Sequence, residues 1–345
     1  MKILKLFLAA ALPVFGAVST HAQSVESFYK GQKLSWILSA GEGGGYSTYA
    51  RFFAPLFAQK IPGHPTIVIQ NMPGAGGIRA MMHLANVAPR DGGTIGLVHA
   101  SVPFAPLYGT KGASFDPREM SWIGSISTES AMCVAWAPAR IETWKDLFNG
   151  DYVVGGTGAG SQMEMLPHML NRLFGTRIKI VSGYRGGNDV YMAMERGEVH
   201  GRCGGLVTSI NTTRPEWFSQ KKVTIPVLIA LKRRPEFPDT PAVIEFAKDE
   251  RTRKILELVL APQGMDRPIL APPNVPANRL AALRAAFTQT MNDPAFIAEA
   301  KKQNIEIDEV SGEEVAAIIA NSYAAPRDLV EAAKEIMNMG ASRDQ

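Results

Sequence analysis

Many of the 32 glycines in this 345-residue chain stand in four clusters. They are Gly41-Glu-Gly-Gly-Gly-Tyr-Ser47, Asn71-Met-Pro-Gly-Ala-Gly-Gly77, Gly155-Gly-Thr-Gly-Ala-Gly-Ser161 and Gly183-Tyr-Arg-Gly-Gly-Asn188. Each follows a short β-branched run and precedes a helix-like stretch, so each reads as a turn from strand into helix. The chemistry available there is anion binding. A helix start leaves its first backbone N–H groups unpaired, and the aligned peptide dipoles add partial positive charge. Glycine lets that backbone approach a ligand closely. Such loops hold an anion without a charged side chain. One glycine turn would be turn chemistry alone, but four in one chain favour ligand binding.

Catalytic signatures are missing from the same loops. Gly41-Glu-Gly-Gly-Gly-Tyr46 fails the dinucleotide fingerprint at its last position, and no phosphate-binding P-loop or nucleophile elbow occurs. His64, His83, His99, His168 and His200 are scattered without metal-ligand spacing and read as surface or packing residues. No cofactor is expected.

The elements that position the loops alternate. Strands are expected at 34–38, 66–70, 94–98, 122–126, 132–136, 152–155, 178–182 and 223–231. Helices are expected at 47–59, 77–86, 161–174 and 189–196. This alternation predicts an α/β fold with doubly wound sheets. The C-terminal third reads as more helical: Leu280, Leu283 and Phe287 share a helix face, Asp293-Pro294 opens a helix, and Ser311 with Glu314 forms a capping box. Pro268–Pro276 reads as an extended surface linker. Pro55 and Pro167 fall inside two of the expected helices and predict kinks beyond intact N-termini.

Lys2 and Lys5, the apolar run Leu6–Val18 and small residues at Thr20 and Ala22 have the layout of a secretory signal peptide cleaved after Ala22. The run is too short to span a membrane, and the mature chain is expected to be a soluble, periplasmic monomer. A formal charge of +4, from 36 basic and 32 acidic residues, with no like-charge run, gives no sign of a nucleic-acid partner. In an oxidising compartment Cys133 and Cys203 could pair. Both also lie in strand-like runs and read as small buried hydrophobes, the reading favoured here.

The ordered motifs resemble the periplasmic solute receptors of tripartite tricarboxylate transporters, also called Bug receptors. The likeness runs from about Leu34 to Tyr323. It rests on Gly43-Gly-Gly-Tyr-Ser-Thr-Tyr-Ala-Arg51, Asn71–Gly77, Ala88-Pro-Arg-Asp-Gly92, Gly156–Ser161, Tyr184-Arg-Gly-Gly187, Arg233–Pro241 and Asn292-Asp-Pro294. The resemblance implies a two-lobed periplasmic-binding-protein clamshell with a hinge of two crossover strands. Lobe 1 would comprise residues 23–126 and 224–345 and lobe 2 residues 127–223, with crossings near Ser127 and Val223.

It also implies a small organic carboxylate as ligand and integral-membrane transporter subunits as partners. Lobe 1 would contribute Gly43, Gly44, Gly45, Tyr46, Ser47, Asn71, Ala75, Gly76 and Ser101. Lobe 2 would contribute Thr157, Gly158, Ala159, Gly160, Ser161, Tyr184, Arg185, Gly186 and Gly187, with Gly204 a weaker candidate. Arg185 is either a charge-assisted anchor or a surface arginine. Ser47 stands where many family members have Asp, which weakens the case for an amino-acid ligand, and Glu42 reads as a solvated loop residue. Tyr46, Tyr184 and Trp136 form an aromatic wall to the ligand or simply pack. Two other roles remain open at this point: a ligand sensor for a membrane signalling partner, and an exported enzyme acting on a carboxylate.

Overall fold

The computed structural model describes residues 24–337 except Gly160; the expected signal peptide lies outside the described residues. Among the described residues, eleven strands form two sheets. β1 (Lys33–Leu38), β2 (Thr66–Asn71), β3 (Thr94–Leu97), β4 (Ser121–Ser125), β10 (Pro268–Ala271) and β11 (Val310–Ser311) make the first, in the order β11-β4-β10-β3-β1-β2. β5 (Ala131–Trp136), β6 (Val153–Gly155), β7 (Lys179–Val181), β8 (Gly201–Leu206) and β9 (Val223–Ile229) make the second, in the order β7-β6-β8-β5-β9.

Each sheet is mixed. β1 pairs in parallel with β2 and β3, and β6 with β7 and β8. β10 runs antiparallel between β3 and β4, and β5 runs antiparallel between β8 and β9. β3, β4 and β10 are buried along their whole length, as strands covered on both faces must be.

Helices cover both sheets. They are α1 (Val25–Tyr29), α2 (Gly45–Lys60), α3 (Ile78–Asn86), α4 (Gln162–Phe174), α5 (Gly187–Glu195) and α6 (Val207–Thr213), then α7 (Glu216–Ser219), α8 (Glu250–Leu260), α9 (Ala277–Met291), α10 (Pro294–Lys302), α11 (Gly312–Tyr323) and α12 (Arg327–Met337). Trp36 on β1, Phe53 and Phe57 on α2, and Phe287 on α9 form one aromatic core with ring centroids 5.2–6.2 Å apart. Burying each such side chain stabilises the fold by roughly 1.5–3 kcal/mol. Among the described residues no helix is long and apolar enough to cross a membrane.

The expected strands all form, within one or two residues at most ends. The capping box is present, with the Glu314 backbone N donating to Ser311 Oγ at 3.2 Å and the Ser311 backbone N donating to Glu314 Oε2 at 2.8 Å. Asp293 caps α10 by accepting from the Ala295 backbone N. α2 and α4 continue past Pro55 and Pro167, and neither is shortened.

Four expectations are corrected. Pro268–Ala271 is not a surface linker but the buried strand β10; Pro268 stands at its first position, where a missing N–H costs the ladder little. β9 pairs with β5 along its length, so the second crossover follows Ile229 rather than lying near Val223. The last described helix, α12, packs on α4 as well as α8, so it lies against lobe 2 rather than wholly within lobe 1. Cys133 and Cys203 are not free hydrophobes: they face each other across β5 and β8 and form a disulfide. That pairing depends on strand register, which spacing in the sequence does not reveal.

Candidate functional site

The crossover segments lie side by side. The Ile126 backbone N donates to the Arg267 carbonyl at 3.2 Å, Asp266 N to Ser127 O at 2.9 Å, and Glu129 N to Gln263 O at 3.0 Å. Beyond this hinge the lobes meet directly. Gly41 N donates to the Arg185 carbonyl at 3.2 Å, and Gly76 N to the Thr157 carbonyl at 3.0 Å. Gly158 closes the second contact. It has φ +116, and a Cβ there would lie 2.8 Å from Gly76 N.

A cavity of about 40 Å³ lies between the lobes. From lobe 1 it is lined by Ala40, Gly41, Gly44, Gly45, Tyr46 and His99. From lobe 2 it is lined by Ser161, Gln162 and Met163 at the start of α4, by Gly187, by Arg202, Gly204 and Leu206 on β8, and by Ser209 on α6. The starts of α2, α4 and α5 therefore converge there. Their N-caps are Gly44, Ser161 and Gly186, and none makes a side-chain cap bond. Ser161 is a residue type that normally caps, yet among the described residues its buried hydroxyl has no hydrogen-bond partner; nor have the buried hydroxyls of Ser47 and Thr157.

Among the described residues three charged or titratable side chains line this cavity: Tyr46, His99 and Arg202. Arg202 is 7% exposed and forms no ion pair among the described residues. Its Nη2 donates to the Gly204 carbonyl at 3.2 Å, its Nε has no hydrogen-bond partner among the described residues, and its guanidinium lies over the Tyr191 ring at 5.0 Å. His99 packs edge-on against Tyr46 at 4.7 Å, and its Nδ1 lies 2.9 Å from the Gly76 carbonyl. Burial, and secondarily the Arg202 charge, pushes the His99 pKa down to about 4, against the opposing Gly76 bond. The ring is then neutral near pH 7, with Nδ1 as donor to Gly76 and Nε2 as acceptor.

Of the residues expected in the site, Gly44, Gly45, Tyr46, Ser161, Gly187 and Gly204 line this cavity. Gly76, Thr157 and Gly158 instead form the contact between lobes, together with Ala75. Ala159 and Tyr184 stand back from the cavity, and Gly186 packs against Gly41. Gly43 lies against Asn188, and Ser47 sits in the first turn of α2, which starts two residues earlier than expected. Asn71 Nδ2 holds the Ala40 carbonyl at 2.7 Å and so fixes the first loop. Ser101 borders a separate small cavity with Tyr108 and Met165. Gly160 lies outside the described residues.

Arg185 has an exposed side chain outside the cavity; it serves through its backbone. Trp136 packs on Trp217 at 5.2 Å, and Glu42 is exposed. Sequence reasoning missed Arg202, His99, Gln162, Met163, Leu206, Ser209, Ala40 and Gly41. For Arg202 the available signal was an arginine inside a glycine-rich strand beside a cysteine.

Two sheets joined by adjacent crossover segments, with a lined cavity between them, define a two-lobed receptor of the periplasmic-binding-protein class. Residues 51–334 match the model of the tripartite tricarboxylate transporter family receptor, and the chain belongs to that family. It is 24% identical over 334 residues to the UPF0065 protein in the gbd 5' region of Cupriavidus necator, covering 94% of each chain. Its fold is similar to the periplasmic binding protein BugD (TM-score 0.70, 22% identity, covering 89% of this chain and 98% of that one). It is also similar to MatC from Rhodopseudomonas palustris with bound malate (TM-score 0.68, 19% identity, covering 87% and 99%).

Proposed function

We propose that the chain is an exported periplasmic receptor, cleaved after Ala22, that captures a small organic carboxylate between its lobes. It then delivers that ligand, as a monomer, to integral-membrane transporter subunits. The observation that carries this reading is the convergence of three uncapped helix starts, from both lobes, on one cavity. Each start offers unpaired N–H donors and partial positive charge to an anion. Donors from both lobes make occupancy favour the closed arrangement, as a hinged receptor requires. The unpartnered Ser161 hydroxyl adds a donor at the α4 start. The malate in the R. palustris relative is a carboxylate of the expected kind.

Calorimetry with mono- and dicarboxylates tests this. At least one should bind, and prolonged incubation should return it unchanged, as expected of a receptor rather than an enzyme. Gly158→Val should fold normally by circular dichroism. Its side chain meets Gly76 and Ala75 in an unfavourable backbone region, so the lobes should not shut and affinity should fall more than about 100-fold. Absence of binding by every acid, or native affinity in the variant, would remove the cleft as the carboxylate site.

A further inference from the structure

The three helix starts at the cleft are not equivalent. α2 carries no acid in its first turn, and α5 carries the half-buried Asp189. α4 carries Glu164, which is 3% exposed and has no cation within ion-pair distance among the described residues. An acid that deep is normally paired.

Ser161 and Glu164 stand at the spacing of a capping box, as Ser311 and Glu314 do. At α11 the box forms, each side chain accepting from the other residue's backbone N. At α4 neither half forms. Ser161 N donates to the Gly158 carbonyl at 3.0 Å, and Glu164 N donates to the Ser161 carbonyl at 3.1 Å. The Ser161 hydroxyl has no hydrogen-bond partner among the described residues. The Glu164 carboxylate passes the cap and accepts from Gly158 N at 2.5 Å.

That detour leads to the place where the lobes touch. A Cβ on Gly158 would lie 2.8 Å from Gly76 N, and the adjacent Thr157 carbonyl accepts from Gly76 N. Glu164 thus fixes the loop that meets lobe 1. It also leaves the α4 start open, with Ser161, Gln162 and Met163 lining the cavity. Its negative charge nevertheless stays in the first turn, about 5.4 Å of helix, and offsets the positive end of α4.

We propose that Glu164 is a positioning residue with two opposed effects on affinity. Its oxygen holds the Gly155–Ser161 loop in the shape that closes on lobe 1, and its charge weakens the hold of α4 on an anion. This rests on the cleft being the carboxylate site. The hydrogen bond outweighs the repulsion, because it sets whether the lobes meet at all.

The test is calorimetry on the mature protein with malate, succinate, butyrate and benzoate, followed with whichever acid the wild type binds most tightly. Glu164→Gln keeps an acceptor oxygen and removes the charge, so it should bind that acid about 10-fold more tightly. Glu164→Ala removes both, so it should bind about 10-fold more weakly than wild type. A purely structural residue would lose affinity in both variants. Gly156→Ala keeps the test valid if Glu164→Gln folds poorly. Its Cβ would lie 2.4 Å from Glu164 Cγ and 2.6 Å from Oε1, so it displaces the carboxylate but keeps its charge. It should bind more weakly than Glu164→Ala by about 10-fold. Native or reduced affinity in Glu164→Gln, increased affinity in Glu164→Ala, or equal affinity in Gly156→Ala and Glu164→Ala overturns the proposal and leaves a carboxylate site in place. Binding of no acid by the wild type overturns the carboxylate reading and this proposal with it.

Discussion

Two buried arginines sit at the junction of the lobes, and their surroundings are opposites. Arg267, in the hinge, is wholly shielded from solvent. Its Nη1 donates to Ser127 Oγ at 2.8 Å and pairs with Asp266. Its Nη2 donates to Thr208 Oγ1 at 2.8 Å and Ser209 Oγ at 3.3 Å, and the Tyr49 ring lies 3.6 Å from its guanidinium carbon. Arg202, in the cleft, has one carbonyl and one aromatic ring. A charge whose hydrogen-bonding capacity is largely filled by its own protein holds structure together. A charge left short of partners at a cavity is set up for something that arrives.

The comparison predicts unequal costs in the ligand-free protein. Arg267→Met leaves Asp266 buried without its cation and removes the tie to α6, so it should destabilise by about 3–5 kcal/mol. Arg202→Met takes away only a secondary positive charge from Asp266, whose direct partner Arg267 stays in place, so its cost should be smaller, within about 1–2 kcal/mol. Chemical denaturation of both variants measures this. Equal losses would mean that Arg202 is structural and would erase the contrast.

A second, smaller effect separates stability from recognition within β8 itself. Cys203 neighbours Arg202 but points to the opposite face of the strand, where it joins Cys133 across a sequence separation of 70 residues. Replacing both cysteines with serine should cost about 2–4 kcal/mol by freeing the unfolded chain. Carboxylate affinity should persist, because the cavity-lining Arg202 lies on the other face. Loss of that affinity at unchanged stability would place the disulfide in the site.

What was legible in the sequence follows the same division. Alternation of β-branched runs with helical periodicity marked nearly all the strands, and glycine marked the helix starts, because both signals are local. The arginines were invisible for a physical reason. The run around Cys203 reads as strand-like, but Arg202 acquires meaning only when β8 is inserted between β5 and β6, which sets the face its side chain takes. β10 was hidden behind its prolines, and the disulfide behind strand register. Arg185 attracted attention because it stands in a glycine loop, yet only its backbone reaches the other lobe.

The smallest effect concerns protons, where hinge and cleft again differ in sign. Glu129 in the hinge accepts from Thr208 N at 3.1 Å and Arg234 Nη1 at 2.8 Å. Burial, then repulsion from Asp266, lifts its pKa to about 7, while the Thr208 bond, Arg267 and Arg234 pull it down. The folded state thus retains a proton that the unfolded chain has lost above its ordinary value of 4.5, and this contribution disappears as pH rises through about 7. His99 in the cleft does the reverse. Its pKa is lowered to about 4, so its contribution is present above 6.5 and is lost as pH falls toward 4. The two slopes oppose each other in the wild type. Relative to wild type, the melting temperature of Glu129→Gln should therefore rise by roughly 3–6 °C between pH 5 and 7.5. That of His99→Gln should rise, on the same relative scale, as pH falls from 6.5 to 4.5. Differential scanning calorimetry across this range reads both, and a pH-independent offset in either variant would mean that the corresponding group does not titrate between the folded and unfolded states.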